Sequence, residues 1–245
     1  MKIKKSVIFV TVTAMFMLSA CGKTTEEKSS EKSKLEVENT SWGMTVDETL
    51  KAYDITKESA SLFSQNTTGA VFAIENGYEM FGEKTERIVF QFLDLEKGEG
   101  TKKLCQIDIT YPTNADMDKV LDEMKAKYGD TEKNIRIYDM FQSLSDEELP
   151  QYDYEETDNL KLWGESSVST SVPKEQDKEY EKLWENLQPG LTEENWAEFS
   201  ENARLVTAVC ASGEGAYPFF EKNGVSFNAY NLLVYEELKE QLSEK

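Results

Sequence analysis

The sequence predicts an α+β fold: an antiparallel sheet packed with helices, expected as two helix-plus-strands units with a late helical insertion. Three observations carry this. Residues 70–74 are a short apolar run of strand length, and polar residues interleave with apolar ones over 87–93 and 104–111, the period of a half-buried strand. Apolar residues recur at helical spacing after Thr45 and again over 117–128, each time ahead of a group of strands. Finally, 11% aromatic and 39% apolar residues are too many for a disordered acidic chain, although the net charge is −20.

The elements follow in order. Residues 1–20 read as an export signal: Lys2, Lys4 and Lys5, then an apolar stretch from Val7 to Leu18, then small residues. That stretch is too short for a permanent span, which needs about 20 residues. Leu18-Ser19-Ala20-Cys21 resembles the lipobox of bacterial lipoproteins. The resemblance implies diacylglyceryl transfer to the Cys21 sulfur and cleavage between Ala20 and Cys21. One acyl chain holds a protein only marginally, and two or more anchor it stably. Gly22 is not the Asp that retains lipoproteins on an inner membrane, and the Lys-rich composition is similar to that of firmicutes. Residues 21–41 are polar, without an aromatic before Trp42, and predict a solvated tether reaching at most about 70 Å. Removal of the signal takes away three Lys and no acid, so the net charge becomes −23, and anionic headgroups should repel the folded part.

A single α+β domain is expected over 42–245. Thr45 and Glu48 form a capping box, and Val46, Leu50 and Tyr53 follow on one helical face. Ala70 to Ile74 predicts a strand, Asn76-Gly77 a hairpin turn, and Tyr78 to Phe81 the answering strand. Arg87 to Leu93 and Leu104 to Tyr111 predict two more, separated by Gly98-Glu99-Gly100. In the last, Cys105, Ile107, Ile109 and Tyr111 fall on a buried face, and Gln106, Asp108 and Thr110 on a wet one. Thr113 and Asp116 cap a second helix that carries Met117, Val120, Leu121, Met124 and Tyr128 and stops at Gly129. Ile135 to Tyr138 is a strand, and the acidic stretch 142–160 a loop. Leu160 to Trp163 and Ser167 to Val172 form a hairpin around Gly164-Glu165. Two short helices, 178–187 and 193–201, are split by Gln188-Pro189-Gly190. Leu205 to Cys210 and Val225 to Tyr235 close the sheet, and 236–245 is a polar helix.

Trp42-Gly43-Met44-Thr45 and Tyr128-Gly129-Asp130 resemble the corresponding segments of firmicute-type bacterial lipoproteins that open with Trp-Gly-Met-Ser/Thr. More distantly, the chain is similar to the helix-plus-sheet modules of β-lactamase-inhibitor-like proteins. The resemblance spans about residues 42–175, and 176–203 departs from it. It implies a binding or envelope-associated role and lends no catalytic residues.

The chain has no His, which excludes Ser-His-Asp and Cys-His catalysis and the His-Glu-x-x-His zinc pattern. Its charge argues against nucleic acid as a partner. Cys105 and Cys210 are candidate disulfide partners after export, worth up to about 4–5 kcal/mol for so long a loop. Two buried, reduced thiols are the open alternative. The acids from Asp146 to Asp158 lack the ligand alternation and central Gly of a calcium loop, so no metal and no cofactor is expected. Trp184 and Trp196 sit at helical spacing with Leu183, Leu187 and Phe199 and predict core packing, whereas Trp163 beside the acidic loop is the candidate for an exposed binding contact. The expected function is that of a non-enzymatic, lipid-anchored extracytoplasmic module at the cell membrane, binding an envelope or extracellular protein. A solute-binding lipoprotein of a transporter and a carboxylate-based glycan hydrolase are the alternatives.

Overall fold

The computed structural model describes residues 35–75, 77–95, 101–138, 151–187, 190–213 and 222–243. Cys21, the Gly98-Glu99-Gly100 turn and residues 142–150 of the acidic stretch lie outside them.

The fold is α+β, built on one seven-stranded antiparallel sheet. In chain order its strands are β1 (Leu62–Gln65), β2 (Gly69–Glu75), β5 (Arg87–Leu93), β6 (Lys103–Tyr111), β9 (Leu160–Gly164), β10 (Thr207–Ala211) and β11 (Asn223–Asn228). Their spatial order is β1-β2-β5-β6-β11-β10-β9. Two meanders therefore meet at β6 and β11, each preceded by a helix: α1 (Val46–Ala52) and α2 (Met117–Tyr128). Two hairpins stand apart from the sheet, β3 (Glu79–Met80) with β4 (Glu83–Lys84) and β7 (Asn134–Tyr138) with β8 (Gln151–Glu155). The helical insertion comprises α3 (Val168–Ser171), α4 (Asp177–Leu187) and α5 (Trp196–Asn202), and α6 (Tyr230–Ser243) ends the fold.

The capping box at α1 is present in both directions: the Thr45 hydroxyl accepts from the Glu48 N–H, and the Glu48 carboxylate accepts from the Thr45 N–H at 2.8 Å. Asp116 alone caps α2, while Thr113 sits in the preceding turn, where Ala115 N–H donates to the Pro112 carbonyl. Gly129 ends α2 with φ +87°, open to glycine at no steric cost. Both helices pack on one face of the sheet. There Val46, Leu50, Val120 and Met124 meet Phe72, Phe90, Ile107, Ile109 and Phe227, and Phe72 stacks on Phe90 at 4.7 Å between centroids.

The domain begins earlier than residue 42. Leu35 and Val37 are buried in the core, and three aromatic side chains hold the segment: the Trp42 indole donates to the Leu35 carbonyl, the Tyr128 hydroxyl to that of Glu36 and the Tyr53 hydroxyl to that of Glu38. Residues 35–41 are thus a strap across the core, not tether. From Cys21 to Leu35 the chain can reach at most about 50 Å.

Other expectations are corrected by pairing. The strand at 79–80 pairs with β4 across Phe81-Gly82, both at positive φ, rather than with β2, which instead lies between β1 and β5. Leu62–Gln65 is a strand, joined to β2 through Asn66, whose side-chain carbonyl accepts from Thr68 and Gly69 N–H. Gln151–Glu155 is paired with β7 instead of lying in a loop. Residues 168–171 form a helical turn, and β9 pairs with β10. The run Val225 to Tyr235 divides at Ala229: strand before, helix after, with the Asn228 side chain accepting from the Tyr230 N–H.

Candidate interaction surface

Trp163 is 2% exposed on the helix-covered face of the sheet, and its indole N–H donates to the Gly129 carbonyl at 3.0 Å. It is a core residue, which overturns its assignment as an exposed contact: it lies in the apolar cluster under α1 and α2 with Val206, Ala208 and Phe227, while β7 and β8 cover Leu160 and Leu162 on the other face of β9. Trp184 and Trp196 are buried as expected, 6.0 Å apart between centroids.

Cys105 and Cys210 are free and buried. They cannot bridge, because they face opposite sides of the sheet: Cys210 lies with Phe227 and Trp163, Cys105 with Tyr230 and Leu233. The cause is a bulge. Gln91 pairs with Gln106 but Phe92 with Leu104, so Cys105 is the extra residue and turns away from Ile107. Its thiol donates to the Gln91 carbonyl. Burial pushes both thiols up to about 12, so neither is a nucleophile at neutral pH.

The second face of the sheet carries the feature that alternation alone did not reveal. Register places Leu62, Ala73, Val89, Asp108, Ser226, Val209 and Leu162 in one row across the sheet. The adjacent row reads Ser64, Val71, Gln91, Gln106, Asn228, Thr207 and Gly164. Their middle is polar but far from simply wet: Gln106, Thr207 and Ser226 are buried, and Asp108, Gln91 and Asn228 are half-buried.

A directed chain of hydrogen bonds orders this strip. Tyr230 N–H, at the start of α6, donates to Asn228 Oδ1, which turns the Asn228 amide toward Gln106 Oε1. That turns Gln106 Nε2 onto Asp108, 2.9 Å from Oδ2. Gln91 Nε2 adds a bond at 2.9 Å and the Ser226 hydroxyl one at 2.6 Å. Burial pushes the Asp108 carboxyl above its ordinary value, and the donors from Ser226, Gln106 and Gln91 pull against that shift. Because a backbone N–H starts the chain, every amide orientation in it is determined. Val71 and Val89 border the strip half-exposed and belong to no apolar cluster of the described residues.

Two of the three arginines of the chain lie together beyond β10. Arg136 pairs with Asp153 at 2.6 Å and with Glu198, and Arg204 pairs with Glu132 at 3.2 Å while its guanidinium also donates to the carbonyls of Glu201 and Asn202 at the end of α5. Together with Tyr154 and Asn134 they line a groove of about 250 Å³. Each cation already has a carboxylate, so the groove carries no net anion-binding charge. Among the described residues no group of three or more Asp, Glu, Cys or His is placed to hold a metal ion, and no helix is long and apolar enough to cross a membrane. No protein-family model, curated protein or solved structure matches the chain.

Proposed function

We propose that the protein is a non-enzymatic binding module of the extracytoplasmic cell membrane surface, held by lipid on Cys21, that recognises an envelope or extracellular protein through the second face of its sheet. One observation carries the binding reading: the ordered strip around Asp108, whose amides and carboxylate are held in fixed orientations on a half-open surface. Pre-oriented polar groups lose little entropy when a partner docks, which favours specific recognition. The lipobox supports the address, and the strap, by starting the folded body at Leu35, keeps it within about 50 Å of the anchor.

Solute capture for a transporter is less well supported. The groove at Arg136 and Arg204, at about 250 Å³, lies below the ~300–1,000 Å³ usual for small-molecule sites, and one antiparallel sheet has no pair of matching lobes to close over a solute.

Photo-crosslinking of the full-length protein in its native membrane tests the reading. A photoreactive residue at Thr110 or Val89, on the same face beside the strip, should yield a discrete protein adduct, while one at Glu123, on the exposed side of α2, should not. Equal labelling from all three positions, or none, would reject the second face as the recognition surface.

A further inference from the structure

The outer edge of the sheet is built differently from the rest of the surface. Residues 59–74 contain no Asp, Glu, Lys or Arg, the longest such run after residue 22 in a chain that is 30% charged. The next longest, 223–235, is largely buried in β11 and the start of α6. By contrast 59–74 forms the edge hairpin β1-β2, with Leu62, Ser64, Gln65, Asn66, Thr67 and Thr68 exposed. Leu62, at 39%, is the exposed large apolar side chain of the described residues.

Backbone alternation shows what this edge offers. Asn66 N–H donates to the Gly69 carbonyl, so Asn66 and Gly69 are a hydrogen-bonded pair. Counting back, Ser64 and Leu62 turn their N–H and C=O groups to β2, and Phe63 and Gln65 turn theirs outward. β1 is the terminal strand of the sheet. From Leu62 to Gln65 its register does not shift, the one irregularity being the Ser61 N–H that also reaches the Ala73 carbonyl, and it holds no Pro and no charge, devices by which edge strands usually resist pairing. Lys57 lies nearest, over the Phe63 ring, and is paired with Asp47 at 3.1 Å.

We infer that β1 pairs with β1 of a second copy of this chain, antiparallel about a two-fold axis at Ser64. Charge selects this occupant. Two bodies of net charge −20 or below repel wherever carboxylates face each other, and the uncharged hairpin is where they meet without that cost. A basic partner strand would find stronger attraction almost anywhere else on the surface. In this register Phe63 lies opposite Gln65 of the second copy, so every outward N–H and C=O of both residues is satisfied, and the two Ser64 side chains meet at the axis as a non-hydrogen-bonded pair. Four residues per strand bury far less than the ~1,200–2,000 Å² of a stable interface, so pairing is weak and concentration-dependent.

Covalent trapping reads such an encounter. Adjacent residues of a non-hydrogen-bonded pair lie within disulfide reach, and Cys105 and Cys210 are buried and do not compete. Full-length protein in membranes carrying Ser64→Cys should form a disulfide dimer under mild oxidation at least about tenfold faster than Glu175→Cys, an exposed control away from the edge. Gln65→Pro, which removes an outward N–H without touching the β2 ladder, should return that rate to the control's. Equal rates for the two cysteines, a rate unaffected by Gln65→Pro, or adducts of Ser64→Cys to a different protein in place of the dimer would overturn the proposal. A soluble Cys21→Ala form run in parallel at high protein concentration separates failure of edge pairing from failure of anchoring.

Discussion

The two faces of the central sheet solve the burial problem in opposite ways. On the first, two helices and the strap cover aromatic and aliphatic residues, and burial of apolar area supplies the stability. On the second, apolar clusters occupy the two ends, beneath α3 to α6 and beneath β7 and β8, while the middle is a polar strip whose members satisfy one another. A strand that alternates apolar and polar residues is therefore not always half wet. Its polar half can be enclosed when each donor finds an acceptor, at the cost of stability that then depends on every bond.

The largest effect should come from breaking the apolar face. Trp163→Ala leaves a cavity among Trp163's fully buried neighbours and should cost about 3–5 kcal/mol, read from denaturant unfolding. Replacing Leu35 and Val37 together with Ser should cost about 3 kcal/mol or more, since each loses about 1.5–3 kcal/mol of burial; an unchanged midpoint would return residues 35–41 to the tether.

The polar face is probed by Ser226→Ala. Losing a hydrogen bond to the half-buried carboxylate should cost about 1.5–3 kcal/mol at neutral pH. The pH dependence has a definite sign. The folded Asp108 carboxyl lies above its unfolded value, so the folded state binds the proton more readily, and stability falls as pH rises from the ordinary carboxylate range through the raised value. Ser226→Ala raises that value further. Its deficit should be full above the variant's further-raised value and shrink below the wild-type raised value, where Asp108 is protonated in both folded proteins; a deficit independent of pH would show that Ser226 does not act through Asp108.

Smaller effects sharpen the same contrast. Tyr128→Phe removes one neutral bond to the strap and should cost about 1 kcal/mol. Thiol labelling should find Cys105 and Cys210 unreactive in the folded protein and both reactive after denaturation without reductant; labelling that requires reductant would contradict their separation across the sheet.

The elements legible in the sequence were those with a local cause. The Thr45 box, Gly129, the 3.6-residue spacing over 117–128 and the alternation of β5 and β6 all act over a few residues. What escaped needed distant partners. β1 is four residues long and gains its identity from β2, and residues 35–41 become a strap only because Tyr53, Trp42 and Tyr128 reach them. Cys105 left its expected face through one bulge, invisible without the partner strand. The candidate surface was half legible: Asp108 and Gln106 were on the polar side as expected, but their network draws on Gln91, Ser226 and Asn228 from strands far apart in sequence. Asn228 standing two residues before a helical run was the local signal, since a side chain there can take the first N–H of the helix.

The anchored-module account rests most directly on Cys21. The intact mass of the protein extracted from membranes, with its N-terminal peptide sequenced, should correspond to a chain that begins at Cys21, bears diacylglycerol on that sulfur and retains two further free thiols. A chain that still carries residues 1–20, or one cleaved elsewhere with an unmodified Cys21, would contradict the account.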